Sequence, residues 1–93
     1  PCNSINTYYG QTWCGAINST SGPFATCLKL MDKARVRYFV DSCALDVCLM
    51  EASNRLSKAL CNSLGQFSQE CAIAARNANV TLALDWQTKS NCG

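Results

Sequence analysis

Cysteine is the residue type in this chain most able to do chemistry. Eight of the 93 residues are cysteines, at Cys2, Cys14, Cys27, Cys43, Cys48, Cys61, Cys71 and Cys92. Thiols can hold a metal, act as nucleophiles or join as disulfides, and spacing chooses among these. Zinc sites usually present paired ligands about two to four residues apart, whereas this chain has no Cys-x-x-Cys and no histidine. The same composition removes the thioredoxin-type exchange motif and the imidazole base that a cysteine nucleophile needs. An even number of widely and irregularly spaced cysteines in a short chain reads as a disulfide framework made in an oxidising, secretory setting. Four internal bonds are expected, with no metal and no cofactor.

Carboxylates are the other candidates: Asp32, Asp41, Asp46, Glu51, Glu70 and Asp85. No two of them sit in a recognisable acid–base motif, so no catalytic residue is assigned and the chain is read as a non-enzyme. Asp46, between two cysteines of a helical stretch, is expected to cap or hydrogen-bond. Asn18-Ser19-Thr20 and Asn79-Val80-Thr81 match the N-glycosylation pattern, and in a secreted chain Asn18 and Asn79 are expected to carry glycans. Net charge is +2, from eight basic and six acidic side chains, too mild a field to point to nucleic acid. Lys29, Lys33 and Arg37 would form a basic stripe if the chain were helical throughout, which would suit a sulfated or sialylated glycan. A solvated helix face explains the same spacing more simply.

The elements that must position the cysteines follow from apolar spacing. Val36, Phe39, Val40, Cys43, Ala44, Val47 and Cys48 recur at intervals of three and four, which predicts an α-helix from about 34 to 50. On such a helix the α-carbons of Cys43 and Cys48 lie about 8.6 Å apart, beyond the roughly 7 Å that a disulfide can span. Each must therefore reach a different cysteine elsewhere. Residues 1–22 are rich in Gly, Asn, Ser and Thr and are expected to be an irregular arm. Ser21-Gly22-Pro23 predicts a helix start, with Phe24, Cys27, Leu28 and Met31 as its buried stripe, and Asp32-Lys33 marks a corner. Ser53-Asn54 can cap a third helix, whose stripe of Leu56, Ala59, Leu60, Leu64, Phe67 and Cys71 extends to about 77. Gly65 is its weak point, where a kink or a close approach is expected. Cys61 and Cys71 would be about 15 Å apart along that helix, which disfavours a bond between them unless Gly65 breaks it. Residues 80–93 are expected to be extended or irregular, strapped down by Cys92 and Trp86. The polar start Pro1-Cys2-Asn3-Ser4 is no signal peptide and no apolar run approaches about 20 residues, so the chain is read as mature or excised, without membrane insertion. The expected fold is a single small all-α, disulfide-rich domain over residues 1–93: about three helices with irregular terminal arms stapled by four disulfides.

Several of these stretches together resemble one family. Cys14-Gly15 is similar to its opening Cys-Gly, Ser21-Gly22-Pro23-Phe24-Ala25-Thr26-Cys27 to its Gly-Pro-Phe-x-x-Cys, and Cys43-Ala44-Leu45-Asp46-Val47-Cys48 to its Cys-x-x-Asp-x-Cys. Cys61, Cys71, Trp86 and Cys92 complete the set. The family is the eight-cysteine domain that follows von Willebrand factor type D domains in mucins, zonadhesin, tectorin and IgG Fc-binding protein, and the resemblance covers residues 14–92. The stretch from Cys27 to Cys43 is longer than usual and lacks the family's proline; that from Cys71 to Trp86 is longer and lacks its glycine.

The resemblance implies a non-catalytic, secreted, extracellular module of large glycoproteins, concerned with assembly, adhesion and gel or matrix formation. It also implies a pairing: Cys14 with Cys43, Cys2 with Cys48, Cys27 with Cys71 and Cys61 with Cys92. With no ninth cysteine, no covalent link between chains is expected through this domain. The partner is an extracellular protein or glycan, met through Tyr8, Tyr9 and Arg37. A small secreted carrier of lipid or another apolar ligand is the alternative. Plant lipid-transfer proteins, however, carry an adjacent Cys-Cys and a Cys-x-Cys that are missing here, and the apolar stripes are more simply core than cavity.

Overall fold

The computed structural model describes residues 2–93; Pro1, the first residue of the polar start, lies outside the described residues. Its frame is an antiparallel pair of long helices, α2 (Lys33–Leu49) and α3 (Leu56–Asn77). Asp32 starts α2: its backbone is extended and its carboxylate accepts the Arg35 amide at 3.3 Å, which satisfies one of the donors left open at a helix N-terminus. Val36, Val40, Cys43, Ala44, Val47 and Cys48 are the buried face of α2, and Leu60, Leu64, Phe67, Cys71 and Ala75 supply the apolar burial on α3. At the hairpin's open end Arg35, near the start of α2, has its guanidinium 3.1 Å from Glu70, late in α3.

Two short helices complete the set, α1 (Ala25–Leu28) and α4 (Trp86–Lys89). The α-helices among the described residues are therefore four, two of them single turns, rather than about three. The helix expected from Pro23 onward ends after one turn, because the Leu30 amide closes on the Cys27 carbonyl at 2.9 Å and the chain then bends into the Asp32 corner. The N-terminal arm is more regular than its composition suggests, with 3-10 turns at Ile5–Tyr9 and Cys14–Ala16. Gly15 makes their contact possible. A Cβ there would collide with the Tyr9 carbonyl oxygen and lie 2.7 Å from that of Gly10, so only glycine lets the two turns close on each other.

Gly65 does not break α3, which is continuous through it. The expected close approach is present in a mild form: a Cβ on Gly65 would stand 3.7 Å from the Trp86 ring, ordinary contact distance. Ser53 and Asn54 do not cap α3. The Ser53 hydroxyl donates to the Met50 carbonyl at 3.2 Å, and Asn54 takes φ 56°, so both finish α2 instead. The same device recurs. Asn54, Asn79 and Asn91 all have φ 56°, and the residue after each donates its amide five residues back, Arg55 to Met50, Val80 to Ala75 and Cys92 to Gln87. Asparagine tolerates the left-handed conformation better than other non-glycine residues, and the amide bonds follow the Schellman closure.

The core sits between the hairpin and the arms. Phe24 and Phe67 meet edge to face with ring centroids 5.1 Å apart, Phe39 meets Phe67 at 5.5 Å, and Trp86 stacks on Phe24 at 6.2 Å. Ile17, Leu64, Val40 and Val47 fill the rest and are fully buried.

Candidate functional site

Three disulfides are closed: Cys14–Cys43 holds the N-terminal arm to α2, Cys27–Cys71 holds α1 to α3, and Cys61–Cys92 holds the C-terminal tail to α3. Their Cα separations are 5.7, 5.6 and 5.5 Å, inside the usual range. Cys2 and Cys48 are not joined but lie beside each other. Three of the four expected bonds are thus closed, and the cysteines of the fourth expected pair lie adjacent.

That pair lies in the best-developed polar cluster of the molecule. The buried Tyr8 hydroxyl donates to Glu51 at 2.5 Å, and the Cys48 thiol lies 3.9 Å from the same carboxylate. Next to it, the Tyr9 hydroxyl donates to Asp41 at 2.7 Å. Arg37 donates to that carboxylate at 3.1 Å and lies over the Tyr9 ring. The N-terminal arm is therefore clamped to α2 and the residues just past its end by two tyrosine–carboxylate bonds, from Tyr9 to Asp41 on the helix and from Tyr8 to Glu51 beyond it. Burial, with the Cys2 thiol and the negative Glu51 beside it, pushes the Cys48 thiol up to about 11. At neutral pH it is protonated and a poor nucleophile.

The hydrogen bond to Glu51, then burial, pushes the Tyr8 hydroxyl from 10.0 up to about 12. A folded-state value above the unfolded one means that the folded protein holds this proton more tightly. The contribution of Tyr8 is then fully present below pH 10 and is lost as pH rises through about 12. Denaturant titrations across that alkaline window should show a shallower fall in stability for Tyr8→Phe than for the parent; equal slopes would show that the Tyr8 proton is not linked to folding.

Tyr8, expected among the exposed contact residues, is only 4% exposed, which corrects that expectation. Tyr9 and Arg37 are engaged with Asp41, and the Arg37 side chain stays 66% exposed. Lys29, Lys33 and Arg37 do not make one helical stripe, because the Asp32 corner separates Lys29 from α2 and Arg37 is paired. The carboxylates are dispersed. Asp32 caps α2, Asp41 and Glu51 accept from the tyrosines, Glu70 pairs with Arg35, and Asp85 lies 3.7 Å from Lys89. Asp46 is exposed at the rim of a groove of about 330 Å³, which corrects its expected capping role. Among the described residues, no three metal-binding side chains come together.

Sequence reasoning missed the surface at the closed end of the hairpin. Leu45, Leu49 and Met50 are 46%, 56% and 40% exposed, and Leu49 and Met50 share the groove with Asp46, Arg55 and Lys58. The signal was present, since Leu45 and Leu49 lie four apart and fall outside the apolar face that faces α3. Both sequon asparagines are exposed: Asn18 follows the second 3-10 turn and Asn79 follows α3. No helix among the described residues is long and apolar enough to cross a membrane.

A small helical domain whose arms are disulfide-bonded to one helical hairpin belongs to the class of secreted, cysteine-framed modules. The chain belongs to the C8 domain family, whose model matches residues 13–93. It is 32% identical to human IgGFc-binding protein over 85 residues, which is 91% of this chain and 1% of that protein. It is 34% identical to chicken mucin-5B over 76 residues, 80% of this chain and 3% of the relative, and 29% identical to human alpha-tectorin over 85 residues, 91% and 3%. The chain thus spans a very small part of the relatives it matches. No solved structure is significantly similar to it. Its localisation is that of these relatives, secreted and extracellular.

Proposed function

We propose that the domain is a non-catalytic structural and recognition module of a large extracellular glycoprotein, a rigid unit that serves adhesion or assembly without supplying a cross-link. The observation that carries this reading is the disposition of the cysteines. Three bonds fasten the N-terminal arm, α1 and the tail to the α2–α3 hairpin, and the two remaining cysteines lie beside each other, with Cys48 buried. Closure of Cys2 with Cys48 completes four internal bonds and leaves no thiol for a neighbouring chain. Asn18 and Asn79 carry N-glycans in this reading. Leu45, Leu49 and Met50 give the module an apolar surface to set against a protein partner, with Asp46, Arg55 and Lys58 as a polar rim. The carrier reading is weaker, because Phe24, Phe67, Ile17 and Leu64 fill the interior.

Peptide mapping of the non-reduced secreted protein tests it. A Cys2–Cys48 peptide and no label from a thiol reagent at either position are expected. Labelling of both cysteines, or a bond from either to another chain, would overturn the reading.

A further inference from the structure

A second groove, of about 290 Å³, lies between α1, the start of α2 and the loop that carries the first sequon. Its wall includes Asn18 and Thr20 themselves, and its apolar lining is Leu28, Met31 and Val36. Leu28 and Met31 are half-buried against the core and Val36 is buried. Lys33 and Arg37 close the rim, with Arg37 held in place by Asp41 at 3.1 Å and by the Tyr9 ring.

We propose that the first N-acetylglucosamine of a glycan on Asn18 seats in this groove, on Leu28, Met31 and Val36, with its polar groups toward Lys33 and Arg37. This rests on Asn18 being occupied, as the proposed function has it. The occupant is chosen by the chemistry and by the tether. The sugar has an apolar C–H face and an acetamide methyl that match the lining, and hydroxyl and carbonyl oxygens that accept from an ammonium or a guanidinium. Its attachment atom belongs to a residue of the groove wall, so the first sugar is held at a high effective concentration over the lining and loses little freedom on docking. At about 290 Å³ the groove is close to the lower bound of roughly 300 Å³ for ligand-sized pockets. Seated there, the sugar ties the single-turn α1 to the first turns of α2 across the Asp32 corner. Asn79 supplies an internal contrast: it sits at φ 56° in the closure after α3, and the neighbouring groove is lined by Val80, Leu82 and Leu84 rather than by the asparagine. Its glycan has no comparable seat.

The test uses the protein secreted from a eukaryotic host, with occupancy of each asparagine read by mass spectrometry. An endoglycosidase that leaves one sugar on each asparagine should keep amide exchange over residues 28–40 as slow as in the untrimmed protein. Asn18→Gln should speed it threefold or more, and Asn79→Gln should leave it unchanged. Nuclear Overhauser contacts from the acetamide methyl to the Met31 methyl should be present in the trimmed protein. Met31→Ser, which retains the sequon, should reproduce the faster exchange. An occupied Asn18 with neither contact nor change in exchange overturns the seating alone. Protection lost on trimming assigns it to the outer sugars and overturns the first-sugar seat. An unoccupied Asn18 overturns the glycosylation reading and the seating with it.

Discussion

Replacing Cys27 and Cys71 together by alanine is expected to lower stability by about 4 kcal/mol, the largest loss available from one cross-link in this chain. The bond closes the longest loop, with a sequence separation of 44 against 29 and 31 for the other two, and the entropy it removes from the unfolded chain grows with the logarithm of the loop length. Both half-cystines are fully buried, so their loss also leaves space in the core. A domain of this size has only about 5–15 kcal/mol of net stability, and the deficit corresponds to a fall in melting temperature of roughly 15–30 °C. Thermal unfolding followed by circular dichroism reads it directly. A double variant melting within a few degrees of the parent would show that α1 is held by packing alone. Stepwise reduction gives an independent check: Cys61–Cys92, half-buried at both ends, should open before Cys27–Cys71, because exchange requires a thiolate to reach a sulfur.

Much of this frame was legible in the sequence, for definite reasons. The three-and-four spacing from Val36 to Cys48 produced a helix at Lys33–Leu49, and the stripe from Leu56 to Cys71 produced one that ends at Asn77, because long amphipathic stretches repeat the same signal several times. α1 repeats it barely once, and a single turn next to a corner cannot be told from the start of a longer helix. The excluded Cys43–Cys48 bond needed only helix dimensions, whereas the clamp on the N-terminal arm needed tertiary information. Tyr8 and Glu51 are 43 residues apart and Tyr9 and Asp41 are 32 apart, and no local spacing announces such pairs. The asparagine closures were missed for another reason. For Asn54, Asn79 and Asn91, a preference of one residue type for positive φ is a weak signal until the carbonyl that the following amide reaches is known. Gly65 misled in part, since a glycine in mid-helix reads as a break, while α3 continues because packing on both sides outweighs the roughly 1 kcal/mol of lost propensity. Leu45 and Leu49, 46% and 56% exposed, were not legible as a surface, because single apolar residues on the outer face of a helix are common and only tertiary neighbours make them a patch.

Phe67→Ala is expected to cost about 3–5 kcal/mol, as large as the loss of the central disulfide but by a different route. Phe67 is fully buried on α3, and its ring is the joint at which the elements meet. Phe24, just ahead of α1, lies 5.1 Å away, Phe39 on α2 lies 5.5 Å away, and Trp86 of α4 reaches the group by stacking on Phe24 at 6.2 Å. Removing the ring forfeits its own transfer energy and leaves a void that the surrounding rings cannot close, because Cys27–Cys71 and Cys61–Cys92 fix the segments that carry them. The near-ultraviolet signal of Trp86 should weaken in the variant even where the far-ultraviolet helix signal is retained. Phe24→Leu and Phe67→Leu, made singly and together, would separate the aromatic pair from simple volume: a coupling of about 0.5–1.5 kcal/mol is expected for the edge-to-face contact. A coupling near zero would mean that the rings act only as space-fillers, and a loss below about 1 kcal/mol for Phe67→Ala would mean that the four elements are joined somewhere other than at this cluster.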